Sequence, residues 1–295
     1  MVAVVIPYFK AKYFEATLLS LSNQTDKRFK VYIGDDASPE NPETTLSKYQ
    51  DIIEFEYHVF SENLGSISLT KQWERCVNLA DEEWVMILGD DDVLSENVIE
   101  EFYKNLDNLD ALKVIRYASC KIDENGQSMS NVFNHPIKES SVDFLFRHRR
   151  NSLSEYIFKR EQITNIGFKN FHLAWCSDIL AVLEFSDFGL VYSINNATVF
   201  IRITSESISG NLENIKLKNL ASEQFSHYII SHKLNLFSKF QCLKIIYGYE
   251  VAIKRNRKFQ INDWTSLFKL YAKNFKLIPS IKFLRRFVVY LVINR

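Results

Sequence analysis

The sequence predicts an α/β fold, in which a mostly parallel central sheet carries helices on both faces and a helical, basic C-terminal region follows. Between residues 2 and 106, short apolar runs alternate four times with segments of helical spacing, which is typical of parallel strands joined by helices. Charge is also unevenly distributed along the chain. Residues 1–213 hold 33 acidic and 20 basic residues, whereas residues 214–295 hold 3 acidic and 16 basic residues. An acidic body with a basic tail indicates a partner for the tail.

Four strands are predicted from short runs that are rich in β-branched and aromatic residues. They span residues 2–8, 29–36, 52–60 and 83–89. The helices predicted after them span residues 14–24, 41–50, 67–80 and 95–106. Asn41 and Ser95 are the expected N-caps of the second and fourth helices. Apolar residues make up 46% of the 295-residue chain, which allows a sizeable core.

The pattern changes after residue 112. We predict a hairpin over 112–133, a mobile loop over 135–151, a helix over 173–185, one or two strands over 189–203, and helices from about residue 215. We therefore expect a first domain over residues 1–212, with halves 1–112 and 113–212, and a helical region over residues 213–295.

Acidic clusters follow the second and fourth predicted strands, at Asp35–Asp36 and Asp90–Asp92. Because ligands of parallel sheets bind beyond the carboxyl ends of the strands, both clusters are expected to face one crevice. Adjacent carboxylates repel one another unless a cation neutralises them, and oxygen ligands suit Mg²⁺ or Mn²⁺. A nucleotide diphosphate is the natural second ligand of such a cation. The plainer alternative is a helix N-cap, which needs one aspartate rather than three.

Several classes of protein are disfavoured. The chain has no GxGxxG segment, which argues against a dehydrogenase. The four cysteines are far apart in sequence, which indicates free thiols in a reducing compartment rather than disulfides or a zinc site. The N-terminal residues lack a basic segment and a cleavage site typical of a signal peptide, and no apolar run reaches the ~18 residues of a membrane span. We expect a cytoplasmic protein.

Four segments occur in a characteristic order: VVIPYF (4–9), FKVYIGDDAS (29–38), ENLG (62–65) and ILGDDDVL (87–94). Together they resemble the family 2 glycosyltransferases of the GT-A fold. Two later segments, LAWCSD (173–178) and FIRITSESISG (200–210), are similar to the acceptor-side helix and the closing strand of bacterial members. The resemblance covers roughly residues 2–210. It implies an inverting transfer of sugar from a nucleotide-sugar donor, expected to be a UDP-sugar, to a hydroxyl of a glycan or lipid-linked acceptor. It also implies a role in bacterial surface polysaccharide synthesis.

The resemblance also implies roles for individual residues of the donor-binding half. Pro7, Tyr8 and Phe9 are expected near the nucleotide base, and the acid pair of the second strand is expected at the edge of the base. By position Asp36 is the better match for that contact and Asp35 the second.

The acidic motif after the fourth strand is implied to bind ribose and metal. Alignment puts the last two acids of the family motif on Asp91 and Asp92, although a shifted alignment through Asp90 and Asp92 stays open. Asp92 is the metal ligand in either alignment, Asp90 is its alternative partner, and the cofactor is Mn²⁺ or Mg²⁺. Asp178 corresponds to the general base of the acceptor half, 113–212, which deprotonates the attacking hydroxyl. Glu184 is the alternative base.

Two departures from the family pattern matter. Many members have a histidine near the metal two residues after the arginine of the closing strand, where this chain has Thr204. The usual Arg-Asn pair of the helix after ENLG is also missing, so either Lys71 or Arg75 is left to contact phosphate or base.

Two alternatives to a glycosyltransferase stay open. A nucleotidyltransferase shares the sheet and the acids, but it usually has a glycine-rich loop after the first strand, and PYFKAKYFE has no glycine. A non-catalytic, membrane-associated binding protein is the second.

Residues 268–295 place basic residues between apolar ones at helical spacing, which favours binding to an anionic membrane surface over binding to nucleic acid.

Overall fold

The computed structural model describes residues 1–108, 112–147, 151–275 and 277–293. The chain forms two compact units, Met1–Leu212 and Glu213–Arg295, each considered by itself.

The first unit is built on a sheet that contains nine strands in the described part of the chain. These are β1 Val2–Tyr8, β2 Phe29–Asp35, β3 Phe55–Val59, β4 Trp84–Ile87, β5 Val93–Leu94, β6 Val114–Ile122, β7 Lys138–Ser140, β8 Tyr156–Lys159 and β9 Leu190–Arg202. The order is β3-β2-β1-β4-β8-β6-β9-β5, with β7 paired to β9. The first four strands of this order are parallel, and β8 runs antiparallel to both β4 and β6.

Helices cover both faces of this sheet. They are α1 Phe14–Ser22, α2 Glu43–Leu46, α3 Leu69–Val77, α4 Val98–Lys104, α5 Ser141–Arg147, α6 Arg160–Ile166 and α7 Ser177–Phe185. Short 3₁₀ turns lie at Leu106–Asn108, Leu153–Glu155, His172–Ala174 and Leu212–Asn214. Successive residues of a strand point to opposite faces, so Val4 and Ile6 of β1 pack in one core cluster with Leu18 of α1. Val5 packs in a second cluster with Phe185 of α7. Burial on both faces explains why β1 is apolar throughout.

The α/β architecture and the predicted strands of the first half are confirmed, with narrower bounds, but three local predictions are wrong. The predicted N-caps are displaced, because the caps are Pro42 and Asn97, one and two residues after Asn41 and Ser95. Only the first half of the predicted hairpin is a strand; the returning segment makes isolated antiparallel bridges to β6 through Ser128 and Phe133.

The predicted mobile loop over 135–151 contains β7 and α5, whereas residues 148–150 lie outside the described residues. Its order comes mainly from partners outside the segment, on β6 and β9. Glu139 is buried and pairs with Arg116 of β6 and with Arg147, while β7 pairs with β9. No periodicity within the segment could signal these contacts.

The second unit is helical, as predicted: α8 Ile215–His232, a 3₁₀ turn at Leu234–Leu236, α9 Lys239–Asn256, α10 Ile261–Asn274 and α11 Leu277–Ile293. Its core gathers Ile253, Trp264, Tyr271 and Phe283. Among the described residues, none of the helices combines the length and the apolar character that crossing a membrane requires.

Candidate active site

The acids that end β2 are held by the protein itself. Asp35 and Asp36 are both buried. One carboxylate oxygen of Asp35 accepts a hydrogen bond from the Ser38 backbone N–H at 2.7 Å, and the other accepts one from the Tyr57 hydroxyl at 2.6 Å. Asp35 therefore stabilises the turn after β2 and ties β2 to β3.

Asp36 is enclosed by the ENLG segment and by α3. Its carboxylate accepts hydrogen bonds from the backbone N–H groups of Leu64 at 2.7 Å and Gly65 at 2.9 Å, and it pairs with Arg75 at 2.5 Å. A β-carbon at position 65 would lie 2.4 Å from an oxygen of Asp36, so only glycine allows this approach. The same helix leaves Lys71 exposed. Of the two cations that the sequence leaves open, Arg75 is the one at the acid cluster.

The residues that end β1 have different surroundings. Tyr8 is fully buried, its ring lies 4.7 Å from that of Phe14, and its hydroxyl donates to the Glu40 carbonyl at 2.7 Å. Burial raises the pKa of Tyr8 to about 12. Pro7 and Phe9 are only partly buried, so they are the residues of this segment that retain surface for a ligand.

The three aspartates of GDDD do not point the same way. One oxygen of Asp90 accepts hydrogen bonds from the backbone N–H groups of Phe9 and Lys10, at 2.8 and 2.9 Å. Asp92 accepts from the Ser154 hydroxyl at 2.5 Å and from the Arg202 backbone N–H at 2.9 Å. In the described part of the chain, no other residue donates a hydrogen bond to the carboxylate of Asp91.

The electrostatics reflect this difference. Burial, followed by the charges of Asp92 and Asp90, raises the pKa of Asp91 to about 8. Burial also raises the pKa of Asp92, to about 6, against the hydrogen bonds from Ser154 and Arg202. Burial raises the pKa of Asp90 as well. Asp91 is therefore the carboxylate that most lacks compensating positive charge.

Arg202, at the end of β9, supports the backbone of the GDDD motif. Its guanidinium donates to the backbone carbonyl of Asp91 at 2.9 Å and to that of Asp123 at 2.7 Å, and it lies 4.5 Å from the centre of the Tyr13 ring. The side chain thus fixes the backbone of the acidic loop without donating a hydrogen bond to the Asp91 carboxylate. In the family resemblance, Arg202 only marks the position of the closing strand, and its contact with the acidic loop has no signal in the sequence.

Asp178 lies in the first turn of α7 and is partly exposed. Its carboxylate accepts hydrogen bonds from the Asn151 side-chain amide at 2.8 Å and from the Ile179 backbone N–H at 2.9 Å. Burial raises its pKa to about 6, and these hydrogen bonds oppose the increase. A carboxylate with this pKa is ionised at neutral pH and still basic enough to take a proton.

The chain that leads to Asp178 is strained. Leu173, Ala174 and Cys176 all have positive φ, at 57°, 52° and 69°, a region that costs a non-glycine residue about 1–2 kcal/mol. Such strain tends to persist at functional sites, where surrounding structure imposes it. Glu184 lies six residues further along α7, about 120° away from Asp178 around the helix, so it lies on a different side of α7.

One short segment joins the two acidic regions. Ser154 contacts Asp92, and Asn151, three residues earlier, contacts Asp178. Three residues span at most about 11 Å of backbone, so the segment keeps the base candidate close to the GDDD motif. The sequence NSLSEY gave no signal for this role, because each contact joins residues at least 27 positions apart.

The residues present fit a divalent cation only in part. Among the described residues, no group of three or more His, Cys, Asp or Glu side chains is arranged to hold a metal. Asp91 and Asp92 can supply two oxygen ligands, and Mg²⁺ commonly takes the rest from water and phosphate. Thr204 offers no replacement for histidine, since its hydroxyl accepts the backbone N–H groups of Glu206 and Ser207.

The sheet, the acids at its carboxyl edge and the partly buried carboxylate on α7 define a protein with the GT-A architecture. Residues 3–178, more than half of the chain, match the model of the family described as glycosyl transferase family 2, and the chain belongs to this family.

Solved structures with the same fold include several of TarS from S. aureus. This chain is similar to TarS with a TM-score of 0.63 and 15% identity, over 90% of this chain and 45% of that one. It is similar to TarS 1-349 in complex with UDP-GlcNAc with a TM-score of 0.63 and 14% identity, over 91% and 79% of the chains. For TarS 1-349 in complex with UDP, the TM-score is 0.53 and the identity is 15%, over 85% of this chain and 80% of that one. The chain therefore spans less than half of the longer TarS chain. No curated protein matches the sequence.

Proposed function

We propose that this glycosyltransferase transfers sugar with inversion from a UDP-sugar to a hydroxyl of a glycan or lipid-linked acceptor. The observation that carries the proposal is the segment Asn151–Ser154, which holds the base candidate Asp178 and the acid Asp92 close together. A base next to a diphosphate-binding edge is what a single displacement at a sugar carbon needs.

The base of the nucleotide would lie at Asp36. An ionised carboxylate has about four acceptor positions, and Leu64, Gly65 and Arg75 use three of them. The remaining position suits an N–H donor such as the imide of uracil. Pro7 and Phe9 would pack against the base, and complexes of the similar TarS 1-349 with UDP-GlcNAc and UDP support a uridine donor.

The proton transfer would fall to Asp178. Its ionised carboxylate would accept the proton of the acceptor hydroxyl as the oxygen attacks the anomeric carbon from the face opposite the diphosphate. Because the pKa of Asp178 is raised to about 6, the base form is lost on acidification through that value. Transfer should therefore increase as pH rises through about 6.

The cofactor is proposed to be Mn²⁺ or Mg²⁺ on Asp91 and Asp92. Asp91 replaces Asp90 in the predicted ligand pair because Asp90 is engaged by Phe9 and Lys10, whereas Asp91 is uncompensated. When bound, the cation supplies positive charge for the leaving diphosphate. Ser154 and the Arg202 backbone hold Asp92 in position for this ligation.

A direct test measures binding and slow hydrolysis of a panel of nucleotide sugars with and without Mn²⁺. We expect a UDP-sugar to bind in a Mn²⁺-dependent manner. Asp178→Ala should bind it normally and lose transfer by about 10²–10⁴-fold. Asp92→Ala should lose the Mn²⁺-dependent part of binding. If no nucleotide sugar binds with any divalent cation, the proposed donor chemistry is wrong.

We further propose that the C-terminal helices dock the enzyme on an anionic membrane that carries the acceptor, in bacterial surface polysaccharide synthesis. One face of α11 exposes apolar side chains at helical spacing: Ile278, Ile281, Leu284, Val288 and Val292. Lys282 and Arg285 are exposed beside them. Three of the four acids of this unit, Glu223, Glu250 and Asp263, are already paired with Arg257, Lys254 and Arg286. Among the described residues, no carboxylate pairs with Lys282 or Arg285, and both cations suit anionic lipid.

Charge reversal tests this proposal better than deletion of residues 268–295, which would remove the buried Tyr271 and Phe283. Lys282→Glu with Arg285→Glu should weaken cosedimentation with phosphatidylglycerol vesicles by about 30-fold or more, since each of the two lost charges contributes about 1 kcal/mol. Lys216→Glu, at an exposed position of α8, is the matched control. Equal loss in both variants, or no vesicle binding by the unmodified protein, would contradict the membrane surface.

A further inference from the structure

We infer that Asn151 is a positioning residue, which holds the Asp178 carboxylate in one orientation toward the acceptor, and that the Tyr156 hydroxyl fixes Asn151 in turn. The inference rests on the proposed role of Asp178 as the base. It concerns side chains that neither the family pattern nor the sequence analysis assigned.

The direction of each hydrogen bond in this chain follows from chemistry. An ionised carboxylate only accepts, so the Asn151 amide nitrogen must face Asp178, at 2.8 Å. The Asn151 oxygen then faces Tyr156, whose hydroxyl donates to it. Tyr156 is fully buried and stacks on Phe158 within β8, so its hydroxyl has a fixed place. The sheet thereby determines which way the amide of Asn151 points.

The rest of the Asp178 carboxylate is equally constrained. The Ile179 backbone N–H donates to the oxygen that Asn151 does not contact. Both oxygens thus accept hydrogen bonds from the protein, and the side chain is partly exposed on its remaining side. A proton taken from the acceptor must arrive there. Without Asn151, one oxygen would lose its anchor and the carboxylate could rotate about its last bond.

The surroundings of Asp178 contain few competing charges. Among the described residues, the influences on its pKa are burial, which raises it, and the hydrogen bonds from Asn151, Ile179 and its own N–H, which lower it. Tyr156 is the titratable group that faces it from β8, and burial raises the pKa of Tyr156 far above neutrality. Beyond Tyr156 lie the charged groups of Arg116 and Glu155, which act on Tyr156. Loss of the Asn151 donor should therefore raise the pKa of Asp178.

The experiment measures transfer against pH, together with donor affinity, for Asn151→Ala, Asn151→Asp and Tyr156→Phe. Asn151→Ala should move the acidic limb of the profile upward by about one pH unit, a roughly tenfold loss of rate on that limb that higher pH recovers. Asn151→Asp keeps the shape of the side chain but places a like charge beside Asp178, so its shift should be larger. Tyr156→Phe should give a smaller shift in the same direction. Donor affinity should stay within about twofold in all three.

Ser154→Ala is the contrasting variant on the same segment. It should raise the KM for donor, because Ser154 contacts Asp92, without moving the acidic limb. If Asn151→Ala and Asn151→Asp keep the wild-type limb while Asp178→Asn is inactive, the positioning role is wrong and the base assignment stands. If Asp178→Asn transfers sugar at the wild-type rate, the base assignment and the positioning role both fall.

Discussion

Two acidic clusters follow β2 and β4, the strands on either side of β1 in one sheet, yet their charges are balanced in opposite ways. The carboxylate of Asp36 accepts hydrogen bonds from two backbone N–H groups and pairs with the guanidinium of Arg75. Around Asp91, burial and two like charges accumulate, and its pKa rises to about 8. The charge of the first cluster is neutralised by the protein itself. Repulsion between the carboxylates of the second destabilises the folded state until an external cation binds.

The two clusters show two different effects that a buried carboxylate can have on stability. A carboxylate whose charge is balanced within the fold contributes to stability and offers a ligand only its last acceptor position. A carboxylate whose charge is unbalanced lowers stability until a ligand binds, and that loss is recovered as binding energy. The predictions below alter one cluster at a time, and opposite signs of their effects on stability would establish the distinction.

The largest effect is expected from Arg75→Met. It leaves the carboxylate of Asp36 buried without its cation, so the free energy of unfolding should fall by about 3 kcal/mol or more in urea denaturation. Lys71→Met, one helical turn earlier at an exposed position, should change it by less than about 0.5 kcal/mol. Equal effects of the two substitutions would show that Arg75 does not neutralise Asp36.

The sequence predicted the acids at the strand ends because strand runs and charge are local signals. It could not choose between Lys71 and Arg75, since both lie on one helix face, four residues apart, and the choice depends on where Asp36 sits in space. For the same reason it could not find the contacts of Ser154 and Asn151, which form only after β8 and α7 pack together. Local patterns specified the sheet and its acids, whereas the neutralising and orienting partners are tertiary.

A smaller loss is expected from Gly65→Ala. The new methyl group would lie 2.4 Å from an oxygen of Asp36, so the ENLG turn or the carboxylate must move, which should cost about 1–3 kcal/mol. Gly248→Ala in α9 is a useful counterpart, because a β-carbon there meets nothing within 4 Å and alanine is the better helix former. That variant should gain up to about 1 kcal/mol. A neutral Gly65→Ala would mean that the turn does not need the close approach.

The smallest effect, and the one with the opposite sign, is expected from Asp91→Asn. A carboxylate with a raised pKa in the folded state binds its proton more tightly there than in the unfolded chain, so stability falls as pH rises from about 4 toward 8. The amide carries no charge and escapes this loss. In metal-free buffer at pH 8 the variant should be more stable by about 1 kcal/mol, or ~2–4 °C in Tm, and the difference should shrink toward pH 5.

Asp90→Asn is the matched control, because its side-chain oxygen can still accept the N–H groups of Phe9 and Lys10. Its Tm should therefore change less at pH 8. Addition of Mn²⁺ with UDP should raise the Tm of the wild type more than that of Asp91→Asn, since a ligand that binds only the folded state stabilises it by mass action. If Asp91→Asn is less stable than the wild type at pH 8, or gains as much from Mn²⁺ and UDP, the second cluster is balanced like the first and the cation belongs elsewhere.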